Sequence, residues 1–186
     1  MRLFLAINLE PHVQGALGAA TAPLAAAAPS LRWSREARLH LTLKFLGEQP
    51  DDAAATVAPA LADVTRRHKP FAMRIGGVGA FPNFRRPRVV WMGVAPDPRL
   101  ELLHHDVEVA CERLGFPLDG RPFRPHITLA RVKDAVPAAE LKKLRAASDA
   151  IGFDAESAVS SVDVMRSVPG ANARYERLHA AGLRHA

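Results

Sequence analysis

Two short segments share one pattern: His40-Leu41-Thr42-Leu43 and His126-Ile127-Thr128-Leu129. Side chains alternate across a β-strand, so in each segment His and Thr share one face and the apolar pair shares the other. The apolar face can anchor a core while the His/Thr face looks into a cleft. Two such faces brought together would surround a small volume with two imidazoles and two hydroxyls. Imidazole has an ordinary pKa of about 6.5. A neutral ring can therefore take a proton from an attacking oxygen while a protonated one supplies the leaving oxygen. The hydroxyls of Thr42 and Thr128 can hold non-bridging phosphate oxygens. Arg131 can offset the negative charge that builds up at phosphorus. This is equipment for in-line displacement at a phosphate without a metal ion.

One His-x-Thr occurs readily by chance. Two copies with matching apolar positions, one in each half of the chain, do not. Their surroundings match too: Arg38 and Arg124 precede them, and Lys44 and Arg131 follow. A 2′,3′-cyclic phosphate on RNA is a strained ring with a ready leaving group, and it requires the ribose 2′-hydroxyl. Competing motifs are missing. There is no G-x-x-x-x-G-K-[ST] and no G-x-S-x-G, and Gly76-Gly77-Val78-Gly79-Ala80 lacks the third glycine of a dinucleotide fingerprint. His104 and His105 would diverge by about 100° on a helix, so they cannot easily chelate one ion. No metal and no cofactor is expected. His12, His68, His179 and His185 read as surface residues.

The supporting elements follow from pattern. With 186 residues, 48% of them hydrophobic, the chain can bury a core. Strands are expected over Arg2–Leu9, Leu31–Trp33, Arg38–Leu46, Phe71–Val78 and Val89–Val94. A further strand starts at the second motif and runs to about Val132, and closing strands cover Phe153–Ser157, Ser161–Arg166 and Arg174–Leu183. Helices are expected over Pro11–Ala27, from Asp51 and Asp52 toward Arg67, over Pro98–Leu114 and over Ala138–Ala147. Pro23 should end or kink the first of these, and Pro59 should weaken the second. Phe81–Arg88 and Pro117–Arg124 read as loops. The order is α+β with mostly antiparallel sheet, and the motif spacing of about half the chain suggests duplication.

The apolar run Leu3–Leu9 is too short for a membrane span. It reads as a first strand rather than a signal peptide. Cys111 is the single cysteine and falls in a helical pattern, so a buried thiol is expected. A cytoplasmic protein follows as the expectation, with no membrane partner and, for want of any interface signal, a monomer. A net charge of +6 suits a polyanionic partner. Phe45, Phe81, Phe84 and Trp91 could stack on unpaired bases. Core packing is the favoured reading for Phe45 and Trp91. Arg85 and Arg86 could meet RNA phosphates.

At these residues the chain resembles the 2H phosphoesterase superfamily, and within it the RNA 2′,3′-cyclic phosphodiesterases, also called 2′-5′ RNA ligases. The resemblance rests on Arg2–Ile7, Trp33, His40-Leu41-Thr42-Leu43-Lys44-Phe45-Leu46-Gly47, Phe81-Pro82 and Pro87-Arg88-Val89-Val90-Trp91. It continues with Phe123-Arg124-Pro125-His126-Ile127-Thr128-Leu129-Ala130-Arg131, Arg166-Ser167 and Tyr175. It implies a single bilobal domain over residues 1–186, with two mostly antiparallel sheets flanking a central cleft and helices outside. It implies metal-independent hydrolysis of an RNA 2′,3′-cyclic phosphate to a 2′-phosphate, and the reverse 2′-5′ joining without ATP. His40 falls at the proton donor, His126 at the proton acceptor, Thr42 and Thr128 at phosphate-binding hydroxyls, and Arg131 at a basic residue near the phosphate. Tyr175 joins the candidate RNA contacts. The implied partners are RNAs with 2′,3′-cyclic ends, tRNA fragments being one candidate, and nucleoside 2′,3′-cyclic phosphates. Two alternatives stay open: a noncatalytic nucleotide- or RNA-binding module, and a 2′-5′ oligonucleotide phosphodiesterase.

Overall fold

A computed structural model describes residues 1–170 and 173–184. His185 and positions 171 and 172 lie outside the described residues. Nine strands and four α-helices are found among those described. The strands are β1 (Arg2–Asn8), β2 (Arg32–Trp33), β3 (His40–Glu48), β4 (Phe71–Phe81), β5 (Val89–Val94), β6 (His126–Arg131), β7 (Asp154–Val159), β8 (Ser161–Val168) and β9 (Arg174–Gly182). The helices are α1 (Pro11–Ala27), α2 (Ala53–Thr65), α3 (Pro98–Arg113) and α4 (Ala138–Ala150).

The strands pair in the order β7-β4-β5-β6-β3-β1-β8-β9, with β2 added beside β6. Every pairing is antiparallel. Each half contributes four strands, and the halves meet where the motif strands β3 and β6 touch. That junction is one ladder pair, Leu41 opposite Ile127. The two expected sheets are therefore two curved halves of one continuous sheet, hinged between the motifs.

The apolar motif residues do what alternation predicts. Leu41, Leu43, Ile127 and Leu129 are buried in the main core with Leu3, Leu5 and Ile7 of β1 and with the inner faces of the helices. In α1 the buried positions Val13, Leu17, Thr21 and Leu24 form one stripe. Neither proline stops its helix. Pro23 and Pro59 both sit on exposed turns, where water can satisfy the carbonyl each leaves unpaired. In α3, Asp97 caps the start by accepting the Arg99 N–H at 2.8 Å. Gly115, at φ +91°, takes the left-handed turn just past the helix.

β4 runs three residues beyond its expected end. The glycine-rich stretch is a bulge inside the strand, with Gly77 at φ +81° and a register shift between Ile75 and Val78. β7 is shifted toward the C-terminus, α4 continues to Ala150, and a short 3₁₀ turn at Glu36–Arg38 precedes β3. His68 is buried rather than on the surface. It packs where α2 meets α3, with Nε2 2.9 Å from an Asp106 carboxylate oxygen. No described helix is long and apolar enough to cross a membrane.

Candidate active site

Antiparallel pairing at Leu41 and Ile127 carries His40 alongside Thr128 and Thr42 alongside His126. All four side chains are half-buried and lie on the sheet face away from the helices. The structure brings the two histidines and two threonines together on that one face.

The two imidazoles are held in the same way. His40 Nδ1 lies 2.8 Å from the Arg38 carbonyl, and His126 Nδ1 lies 2.7 Å from the Arg124 carbonyl. A carbonyl can only accept, so Nδ1 carries the proton in each ring and Nε2 is the atom left for proton transfer. His40 Nε2 is 2.9 Å from Thr42 Oγ1. His126 Nε2 has no protein partner among the described residues.

Aromatic rings wall both histidines. His40 lies 5.1 Å from Phe4 and 5.2 Å from Tyr175, the latter edge-on. His126 lies edge-on to Phe81 at 5.0 Å and 6.4 Å from Trp91. Removal from water penalises the imidazolium. Burial lowers the His40 pKa to about 4, with the charges of Arg38, Arg131 and His126 adding to the effect. Burial also lowers that of His126, again with a contribution from Arg131. Both rings are neutral in the free protein at neutral pH.

A bulge follows the threonine in each motif strand. Along β3 the register with β1 skips Leu43, and along β6 the register with β5 skips Leu129. Two consecutive side chains then point into the core: Leu43 and Lys44 in β3, Leu129 and Ala130 in β6. The next residue returns to the cleft face. In β6 that residue is Arg131, which explains how it reaches the histidines. In β3 it is Phe45, which is 63% exposed and 6.3 Å from Phe4. Core packing of Phe45, favoured by simple alternation, is corrected by the bulge.

Lys44 is correspondingly buried. Its ammonium donates to both Glu108 carboxylate oxygens at 2.8 and 2.9 Å and to the Pro117 carbonyl at 2.8 Å. Glu108 also accepts the Asp119 N–H at 2.9 Å. The first motif strand thereby anchors the loop that leads to Arg124 and His126. Trp91, also expected in the core, lies half-buried on the cleft face opposite Thr128. It covers Gly79, where a Cβ would come within 2.1 Å of the indole.

The remaining expected contacts are more dispersed. Phe84 is half-buried beneath the Arg145 guanidinium, 4.9 Å from its ring centre. Arg85 and Arg86 are exposed, and their backbone N–H groups donate to the Asn83 side chain. Tyr175 is capped by the Arg38 guanidinium at 4.3 Å. His104 stacks on Phe123 at 3.8 Å, while its neighbour His105 faces solvent. Cys111 is buried, and burial raises its thiol pKa to about 11.

The sequence model of the 2′-5′ RNA ligase superfamily matches residues 9–170. The chain belongs to that superfamily. Among relatives, an RNA 2′,3′-cyclic phosphodiesterase of Geobacillus stearothermophilus is 38% identical over 69% of this chain and 41% of its own length. One of Archaeoglobus fulgidus is 35% identical over 72% of this chain and 73% of its own. The solved structure of TT0787 of Thermus thermophilus superposes with a TM-score of 0.79 at 29% identity, covering 99% of this chain and 98% of that one. The superfamily fold is thus the α+β arrangement described above. Sequence reasoning missed the roles of Phe4, Lys44 and Glu108, and favoured core packing for Trp91. The repeated Arg-x-His spacing was visible, but not that its carbonyls orient the rings.

Proposed function

We propose that this chain hydrolyses RNA 2′,3′-cyclic phosphate ends to 2′-phosphates, with His40 and His126 as paired acid and base. The observation that carries this reading is the matched pair of imidazoles, each with Nδ1 tied to a carbonyl and Nε2 left for proton transfer on the shared cleft face. The relatives' activity supports the substrate class.

His126 Nε2, neutral and without a protein partner among the described residues, takes a proton from a water as that water attacks phosphorus. The bond from phosphorus to the 3′-oxygen breaks in line with the attack. His40 Nε2 delivers a proton to that oxygen. Because His40 is neutral in the free protein, it must gain its proton with the substrate anion or from acidic solvent. Thr42 and Thr128 hold non-bridging oxygens, and Arg131 stabilises the charge that develops on them. With a 5′-hydroxyl replacing water as the nucleophile, the same groups keep their roles, His126 taking the hydroxyl proton and His40 protonating the departing 3′-oxygen, and a 2′-5′ linkage forms. Phe45 offers its exposed ring to a base, with Phe81 and Tyr175 beside the histidines as further RNA contacts. Residues 1–186 act as one bilobal domain, because the sheet runs unbroken between its halves and the cleft needs no second copy.

The test is incubation of a short RNA bearing a 2′,3′-cyclic end in EDTA, with the product read by phosphorus NMR. A 2′-phosphomonoester made by the wild type is expected. A 3′-phosphate, or no turnover, overturns the reading.

A further inference from the structure

Arg32 of β2 and Arg131 of β6 are direct cross-strand partners. Directly opposite residues of antiparallel strands project from the same face, with Cβ atoms roughly 5 Å apart. That face is the cleft. The bulge at Leu129 and Ala130 returns Arg131 to the side of Thr128. Trp33, opposite Ala130, turns the other way and donates its indole N–H to the Ala28 carbonyl at 2.8 Å. β2 occupies the place beside β6 that β3, beginning only at His40, leaves open.

Both arginines are exposed, and among the described residues neither has a carboxylate within 4.0 Å. Several exposed arginines, such as Arg85, Arg86 and Arg124, likewise have no carboxylate within that distance among the described residues; what sets Arg32 and Arg131 apart is that they lie directly opposite each other. Like charges directly opposite in a sheet repel one another. Two arginines directly opposite at the end of the second motif strand concentrate positive charge that an anion would relieve. Arg131 is close enough to both histidines to act on them electrostatically, so such an anion lies next to the reacting phosphate. The cyclic phosphate itself already has Thr42, Thr128 and Arg131. Arg32 is one strand further out.

We propose that Arg32 determines substrate class by binding the neighbouring phosphodiester of an RNA strand whose cyclic end lies between His40 and His126. This rests on the reading given under Proposed function. A nucleoside 2′,3′-cyclic phosphate has no second phosphate, and Arg32 gives it nothing. An RNA strand supplies one, and a guanidinium can grip it through two parallel N–H donors.

The experiment compares wild type, Arg32→Met and Arg32→Lys on a nucleoside 2′,3′-cyclic monophosphate and on a short RNA with a 2′,3′-cyclic end. It is run at two salt concentrations, with thermal melts to check folding. For Arg32→Met, kcat/KM on RNA falls about tenfold, as for loss of one charge-assisted bond. The mononucleotide value stays within about twofold, and the salt slope on RNA flattens by roughly 0.7, one phosphate contact on a single strand. Arg32→Lys recovers part of the loss. Equal losses on both substrates, or none on RNA, overturn the inference while wild-type turnover leaves the hydrolytic reading standing. A wild type inactive on both substrates overturns the two together.

Discussion

Phe45 and Arg131 occupy equivalent places in the two halves of the molecule, each the first residue to return to the cleft face after the bulge of its motif strand. The duplication keeps His, Thr and the bulge, and it differentiates this one position. One half presents an aromatic face, the other a cation. The shared face is thus symmetric in its histidines and threonines and asymmetric at this one position.

That asymmetry separates two variants. Phe45 is exposed, so Phe45→Ala should change stability by less than about 0.5 kcal/mol. It should raise KM for RNA by roughly tenfold, as for loss of one base–aromatic stack. Arg131→Met should lower kcat/KM on every cyclic substrate by about a hundredfold. Steady-state kinetics on a mononucleotide and on an RNA check both. A Phe45→Ala effect confined to kcat would contradict the stacking role.

The Lys44–Glu108 pair joins one motif strand to the approach of the other. Lys44→Met leaves the Glu108 carboxylate buried without its partner, at a cost of about 3–5 kcal/mol. Adding Glu108→Leu removes the stranded charge, and urea unfolding should show much of that stability regained. The double variant still lacks the anchor of the 117–124 loop. Its kcat should therefore stay below that of the wild type after stability has recovered. Full activity in the double variant would show that the loop needs no such anchor.

Gly79 leaves room for the Trp91 indole against β4. Gly79→Ala drives its methyl into the ring, which must swing away and disturb the wall beside His126. A changed tryptophan emission together with a several-fold lower kcat is the expected outcome. Unchanged emission and rate would mean that Trp91 does not support the site.

The pH dependence follows from burial. Both histidines have folded pKa values below 6.5. In the proposed mechanism His126 is the base, and burial favours its neutral form. His40, the acid in the proposed mechanism, is protonated in the free protein only as pH falls toward about 4. kcat/KM reports the free enzyme, so its maximum should lie below pH 6.5. The anionic substrate favours imidazolium, so the kcat profile should sit at higher pH. The linkage to folding has a matching sign. The unfolded chain binds the His40 proton first, so stability is lost as pH falls from about 6.5 toward 4. His40→Ala should weaken that loss in urea titrations at several pH values.

The strands and the four motif residues were legible because alternation is a local property that a sequence displays. The bulges were not, because a bulge is fixed by pairing with another strand. Phe45 was therefore read into the core, and nothing in the sequence showed that Lys44 turns inward while Arg131 turns to the face of the histidines. The strand β4 was ended at Val78 for the same reason, because the bulge at Gly77 is set by its pairing with β5. Pro23 and Pro59 looked like helix breakers because a sequence does not show which turns face water. His68 looked superficial because its partner, Asp106, is brought to it only by the packing of α2 on α3.

The central claim is that two imidazoles act as a unit on one phosphate. It is tested most directly by single-turnover rates on a 2′,3′-cyclic substrate for His40→Ala, His126→Ala and the double variant. Each single change should lower the rate by roughly 10²–10⁴-fold, and the double variant should be scarcely slower than the worse single one. Near-wild-type turnover by either single variant would contradict the account.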